Sequence, residues 1–195
     1  TQSEVGYART GEIALKSEVI RIRGENAELQ VFEDTTGLKV GDAVEFSGNL
    51  LAVELGPGLL AQVYDGLQNP LPKLAEQCGF FLQRGTYLKA LDRATKWAYT
   101  PKARKGDDVT AGDTLGTVPE GIFTHRIMVP FRLQGKYKVE ETLAAGSYNV
   151  DQVVAKLRGE RGDEVAVKMV QEWPVKVPIK AYAERLRPVD PLVTK

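Results

Sequence analysis

The sequence is poor in the residues that most often carry chemistry, because its 195 positions include one cysteine, Cys78, and one histidine, His125. A single cysteine excludes an intrachain disulfide and fits a reducing, cytoplasmic setting. Neither residue belongs to a spaced cluster of ligands, so no metal site is predicted. A small hydrolase in which His125 acts as the base for Cys78 or a serine is the third of three functional alternatives.

The chain also lacks an excess of either charge, with 26 Lys and Arg residues against 26 Asp and Glu residues. Proteins that bind nucleic acid usually carry a basic excess, so no nucleic-acid partner is expected. No apolar run is long enough to span a bilayer and no signal peptide is present, which argues against direct membrane insertion. Because the sequence begins at Thr1 without methionine, we expect a piece of a longer protein.

A glycine-rich stretch, VELGPGLLAQVYDGLQNPL, resembles a phosphate-binding loop at first sight. A Walker-type loop needs a lysine to pair the phosphate charge and a hydroxyl to hold magnesium. No Lys or Arg lies between Lys39 and Lys73, and apolar residues follow Gly58. The glycines therefore predict a turn, and the sequence predicts no catalytic, cofactor-binding or metal-binding residue.

Strand signals dominate the rest of the chain. Two apolar runs flank Gly24, Glu25 and Asn26 and predict a β-hairpin, while LPKLAEQCG, with Pro72 near its start and Gly79 at its end, predicts a helix. Residues 153–157 and 165–173 are expected to pair with each other across a polar turn.

One turn pattern, Gly-Asp-x-Val, occurs twice in the sequence. It is found at residues 41–44 and 106–109, and it predicts a turn in which the aspartate bonds nearby backbone and the valine points inward. Repeated turns of this kind predict a mainly β protein with two modules.

The stretch RKGDDVTAGDTLGTV, residues 104–118, resembles the lipoyl and biotinyl carrier domains, which are barrel-sandwich hybrids. In that family the acylated lysine lies four residues after a strand valine, here Val118, and eight before a proline, here Pro130. Both counts arrive at Ile122, which has no amine. The resemblance implies the fold without the carrier function, and a stand-alone binding module of this type is the second functional alternative.

Several further motifs together resemble the catalytic A subunit of V-type and archaeal-type rotary ATPases. They are VFEDTTGLKVGDAVEFSG, LAVELGPGLLAQVYDGLQNPL, the segment 106–120, HRIMVP, EWPVKVP and DPLVT, in the family's order. The resemblance implies an incomplete N-terminal β-barrel over residues 1–50, a connector over 51–72, and a bulge of barrel-sandwich type over 73–180. Residues 181–195 would lead toward a nucleotide-binding domain that is absent.

The same resemblance implies the biology of the parent protein. The parent would couple ATP hydrolysis or synthesis to proton or sodium movement, with Mg-ATP as its cofactor, and this segment would carry neither the phosphate loop nor the general-base glutamate. The expected partners are the B subunit and the other subunits of the head and stalks, at the cytoplasmic periphery of the membrane.

Two expectations concern folding. The family's first barrel strand is missing before Thr1, so the barrel module should expose an unpaired edge through which the isolated chain self-associates. The bulge should fold as an independent unit, because it carries its own turns and apolar faces.

Overall fold

A computed structural model describes residues 1–60, 62–79 and 81–180, together with Tyr182, Glu184 and Arg187. The described part contains fourteen strands and one helix, which confirms the prediction of a mainly β protein. Most of the expected linker, 181–195, lies outside the described residues.

The first module is a four-stranded antiparallel sheet with the order β3-β2-β1-β4. The expected hairpin is confirmed, since β2 and β3 pair on either side of Gly24 and Glu25. Ala8, Leu15 and Val19 are buried on one face of this sheet, and Val5 is buried on the opposite face. The sheet is open, with β3 and β4 at its edges. The strands are β1 Glu4–Thr10, β2 Ile13–Arg23, β3 Asn26–Val31 and β4 Val44–Leu50.

The glycine stretch, residues 53–71, begins within a short strand, β5 (Ala52–Leu55), and ends at the first residue of the helix α1 (Leu71–Cys78), which confirms the helix prediction. Pro70 precedes the helix in an extended conformation, and Pro72 occupies its first turn, where a missing N–H is tolerated. Leu74 is the buried residue of the helix, and Gly79 ends it with φ +73° and ψ −148°, a conformation that favours glycine.

The second module consists of two four-stranded sheets that enclose one hydrophobic core. Their orders are β13-β12-β10-β7 and β11-β6-β8-β9. The core lies within residues 91–169, with Tyr99, Leu115 and Ile127 from one sheet against Val139 and Leu157 from the other. The strands are β6 Trp97–Pro101, β7 Asp108–Val109, β8 Thr114–Glu120, β9 Phe123–Met128, β10 Tyr137–Thr142, β11 Gly146–Tyr148, β12 Val153–Gly159 and β13 Glu164–Lys168.

One pairing prediction needs correction. Strand β12 pairs with β13 as expected, but β13 ends at Lys168 and does not continue to Trp173. Residues Gln171–Pro174 form a separate strand, β14, which pairs with β5. Met169 follows β13 and is buried in the core, and the N–H of Val170 donates to the carbonyl oxygen of Val150 at 3.0 Å, so the chain has left β12 before β14 begins.

The two Gly-Asp-x-Val turns use the predicted hydrogen bonds. The carboxylate of Asp42 accepts the N–H of Lys39 at 2.8 Å, and that of Asp107 accepts the N–H of Arg104 at 2.7 Å. Val109 is buried as predicted, but Val44 is 39% exposed. Val44 pairs with Ala8 and lies on the same face of the sheet, so its side chain points as predicted, but it remains partly open to solvent because β4 is an edge strand.

A short segment after the helix joins the first sheet to the rest of the protein. The backbone N–H of Lys16 donates to the hydroxyl of Tyr87 at 2.6 Å, and the N–H of Gly85 donates to the carboxylate of Glu33 at 2.7 Å. Arg84 donates from its guanidinium to the carbonyl oxygen of Thr36 at 2.7 Å. These contacts fix the first sheet against residues 84–87.

Candidate functional site

Backbone N–H groups of the glycine stretch bind the side-chain carboxylate of Glu120. The N–H groups of Gly58 and Leu60 donate to Glu120 Oε1 at 2.6 and 3.2 Å. Backbone amides converging on one oxygen are the arrangement a phosphate loop uses, but here a side chain already occupies it. We call Gly58, Leu60, Glu120 and His125 the carboxylate clamp.

Local backbone geometry explains why glycine occupies these positions. Gly58 has φ +104°, which residues with a Cβ rarely adopt. A Cβ at Gly56 would lie 2.9 Å from a methyl carbon of Leu91 and 3.0 Å from the carbonyl oxygen of Met169. The loop therefore turns sharply while it packs against the edge of the sandwich core.

The second oxygen of Glu120 faces His125. Nδ1 of His125 lies 2.8 Å from Glu120 Oε2, and the Glu120 side chain is 6% exposed. The two residues lie on opposite strands of the hairpin β8–β9. Glu120 thus ties the hairpin to the glycine stretch, and the histidine completes its hydrogen bonding.

Tyr64 packs beside the clamp. Its hydroxyl donates to the carbonyl oxygen of Ala90 at 3.2 Å. Burial raises the pKa of Tyr64, and the negative charges of Glu120 and Glu54 raise it further. The tyrosine therefore stays protonated and remains a hydrogen-bond donor.

A second polar cluster lies beside the β5–β14 pair, and we call it the arginine junction. The guanidinium of Arg93 donates to Glu54 at 2.9 Å and to Asp151 at 3.1 Å. Burial lowers the pKa of Arg93, but the hydrogen bonds and charges of Glu54 and Asp151 outweigh it and raise the pKa overall. Glu54 also accepts the N–H of Leu91 at 3.1 Å. The junction connects β5 to the sandwich module.

The segment YDGLQN, near the end of the glycine stretch, is a self-contained loop. Asp65 accepts the backbone N–H groups of Leu67 and Asn69 at 2.9 and 2.7 Å, and the Asn69 side chain donates to it at 2.8 Å. Asn69 Oδ1 in turn accepts the N–H of Leu88. These polar groups bond to one another, so the loop has a structural explanation.

The hairpin tip lies where the resemblance to carrier domains predicts it, and it carries no lysine. Glu120 and Phe123 face each other across a two-residue turn, Gly121 and Ile122, and Ile122 is 93% exposed. The spacing from Val118 and Pro130 therefore predicts the hairpin tip correctly. An exposed alkyl side chain offers no nucleophile for acylation.

We predict that the chain accepts neither a lipoyl nor a biotinyl group, because Ile122 occupies the lysine position. Intact mass after coexpression with the corresponding ligase and cofactor should be unchanged. A mass increase equal to either group would contradict this prediction. The variant Ile122→Lys is the matched comparison, because it restores an amine at the same exposed tip.

The remaining candidates from the sequence are not brought together. Cys78 ends α1, whereas His125 bonds to Glu120, which argues against a Cys–His nucleophile pair. Across the described residues, no group of three or more His, Cys, Asp or Glu side chains could hold a metal ion. None of the helical structure described is long and apolar enough to cross a membrane.

Apolar side chains are exposed on the edge strand β4. Phe46 is 52% exposed, and Val44 and Leu50 are also exposed, although all three belong to a regular strand. Ile20 and Ile22 at the end of β2 are similarly exposed. Several exposed apolar residues on one small sheet are typical of a surface that contacts another protein.

The carboxylate clamp was not predicted from residue patterns. The position of Glu120 in the sequence does indicate that its side chain needs a partner. Val118 and Glu120 are two residues apart on β8, so they share the face that points into the core. A carboxylate on an apolar face needs partners within the protein. The glycine stretch supplies such partners, because its backbone N–H groups can donate to a carboxylate.

Comparisons with known proteins agree with this architecture. The model of the ATP synthase alpha/beta family beta-barrel domain matches residues 8–48. The model of the barrel-sandwich domain of the ATPsynthase alpha/beta subunit matches residues 88–176. These matches confirm the predicted combination of a barrel module and a barrel-sandwich module.

Curated relatives match along the whole sequence. The chain is 60% identical over 195 residues to the V-type ATP synthase alpha chain of Treponema denticola, of which it covers 33%. It is 56% identical over 192 residues, 98% of the chain, to V-type ATP synthase alpha chain 1 of Treponema pallidum, again covering 33%. Over 195 residues it is 52% identical to the alpha chain of Borrelia turicatae, covering 34%. The chain thus spans about a third of the length of these relatives.

Proposed function

The chain belongs to the ATP synthase alpha/beta family as a homologue of the N-terminal part of V-type alpha chains, and we propose that it serves subunit assembly rather than catalysis. The observation that carries this proposal is the open first sheet, whose edge strand β4 exposes Phe46 and Val44. In an assembled head, such a strand would be covered by neighbouring subunits, among them the B subunit.

The activity of the parent protein forms the second part of the proposal. The relatives are named as ATP synthase chains, so the parent would couple ATP hydrolysis or synthesis to proton or sodium transport at the periphery of the membrane. Mg-ATP would bind in a domain outside this chain. Within the chain, the amides of Gly58 and Leu60 are already occupied by Glu120, which supports a non-catalytic role.

The alternative, a stand-alone barrel-sandwich module, has less support. The Treponema denticola relative matches the first sheet as well as the sandwich, over 195 residues. A degenerate carrier would need only the second module. Ile122 at the hairpin tip is compatible with both alternatives, so it does not favour the carrier-like one.

A chimera tests the assembly role. The chain would replace the matching third of the Treponema denticola alpha chain, and complex assembly and ATP hydrolysis would be measured. We expect the chimera to assemble and Phe46→Lys to prevent assembly, since Phe46 is exposed in the isolated chain. Glu160→Lys, in the exposed turn between β12 and β13, is the control. Full assembly with Phe46→Lys would contradict the proposed role of β4.

The division into modules remains a proposal, and a truncation tests it. We expect a chain that begins near Leu71 to keep a folded sandwich, because every member of the main core cluster lies within residues 91–169. The truncation removes β5 and Glu54, so it should be less stable and should lose protection over β14. Hydrogen exchange measures both effects, and unprotected amides throughout residues 97–168 would show that the sandwich is not autonomous.

A further inference from the structure

Three cations without partners line a recess beside the arginine junction. The recess has a volume of about 360 Å³, and its walls come from residues within the range 54–173. Lys89, Arg132 and Lys168 all line it and are exposed. None of their side chains forms a hydrogen bond or an ion pair with a residue that the structure describes. The recess therefore carries positive charge that the fold leaves without a partner.

Most of the carboxylates in the recess are already engaged. Glu54 and Asp151 both bind Arg93, so they do not pair with the three free cations. Glu172 is the remaining acidic residue of the lining, which holds four cations against three carboxylates in all. An exposed lysine elsewhere, Lys156, has its own carboxylate partner at 2.6 Å. The recess thus differs from a surface on which neighbouring charges pair with each other.

An apolar groove adjoins the recess. Phe131 and Trp173 pack edge to face with 6.1 Å between their ring centres, and both line the recess as well as a neighbouring groove of about 850 Å³. Leu133 and Pro174 add apolar surface to that groove. The indole N–H of Trp173 donates to the carbonyl oxygen of Val177 at 2.8 Å, which holds the ring in place. The two cavities therefore form one site, with a cationic end and an apolar end.

We propose that this two-ended groove binds an extended segment of a partner protein in which an apolar side chain is followed by acidic residues. The apolar side chain packs against Phe131 and Trp173, and the carboxylates pair with Arg132 and Lys168. Opposite charge speeds the encounter with such a partner and disfavours basic competitors. Glu172 lines both cavities, so a continuous chain of phosphates would meet a carboxylate, which argues against a nucleic acid. The site goes beyond the proposed role of β4, because its cations lie outside the first sheet.

Fluorescence anisotropy tests the proposal with the 195-residue chain and a fluorescein-labelled peptide, Leu-Asp-Glu-Asp-Glu. We expect saturable binding that weakens as the salt concentration rises. Arg132→Glu and Lys168→Glu should each lower the affinity by about tenfold or more, because they replace attraction by repulsion. Lys102→Glu makes the same change of charge at an exposed lysine outside the groove, and it should lower the affinity by less than about threefold.

Three results would overturn the proposal. They are no binding of the peptide, equal losses of affinity for Arg132→Glu and Lys102→Glu, and tighter binding of an oligothymidylate of equal charge. Circular dichroism checks that each variant folds. Should Arg132→Glu fail to fold, altered peptides and the unaltered chain decide the question. Peptides with serine in place of leucine, or with amides in place of the carboxylates, should bind more weakly, and equal binding of all three peptides would contradict the two-ended groove.

Discussion

Replacing Glu120 by alanine is expected to lower the free energy of unfolding by about 3 kcal/mol, because a buried carboxylate and its two partly buried hydrogen bonds to backbone N–H groups are lost. The amides of Gly58 and Leu60 would be left unpaired, and His125 would lose its hydrogen-bond partner. Urea denaturation monitored by tryptophan fluorescence measures the change. Hydrogen exchange at residues 58–60 should rise in the same variant.

Two further variants make this experiment specific. Glu120→Gln keeps a carbonyl oxygen for the amides, so a smaller loss of about 1–2 kcal/mol is expected. Glu141→Ala removes an exposed carboxylate that pairs with Lys156, and it should change the free energy of unfolding much less, because water screens an exposed ion pair. If Glu120→Ala were no more destabilising than Glu141→Ala, the clamp would not anchor the glycine stretch.

Replacing Arg93 by alanine is expected to cost about 3 kcal/mol, because the change leaves two carboxylates without their shared cation. Glu54 is the more affected, since its side chain is 15% exposed. Without Arg93, Glu54 no longer anchors β5 to the sandwich module. The pairing of β5 with β14 should therefore weaken. Chemical denaturation gives the total effect, and hydrogen exchange at residues 171–174 reports the local one.

Arg158 provides the control for the arginine junction. It also lies against two carboxylates, those of Glu140 and Glu164, but its side chain is 50% exposed. Exposed ion pairs are screened by water, so Arg158→Ala should cost less than about 1 kcal/mol. Equal losses for the Arg93 and Arg158 variants would mean that the junction stabilises the fold no more than a surface pair does.

Local features of this fold follow from the sequence, because short-range chemistry determines them. The hairpin at Gly24, the helix between Pro70 and Gly79, and the turn of Asp107 each depend on residues within a few positions of one another. The hairpin tip at Ile122 follows in the same way, from its distance to Val118 and Pro130.

Contacts between distant residues could not be predicted in this way. Glu120 lies about sixty residues from the loop that it anchors, and β14 lies more than a hundred residues from β5. The position of Glu120 on the core face of β8 indicates that it needs a partner, but no local signal identifies the segment that supplies one, and none links β14 to β5. The exposure of Val44 could not be predicted for a related reason, since only the sheet order reveals that its strand lies at an edge.

Calorimetric titration of the 195-residue chain with Mg-ATP tests most directly the claim that this part of the family has no nucleotide site. We predict no heat of binding, because Glu120 occupies the loop amides and no Lys or Arg lies between Lys39 and Lys73. Glu120→Ala should give the same result, since the released amides still lack a cation. Binding at micromolar Mg-ATP, competed by ADP, would contradict the account.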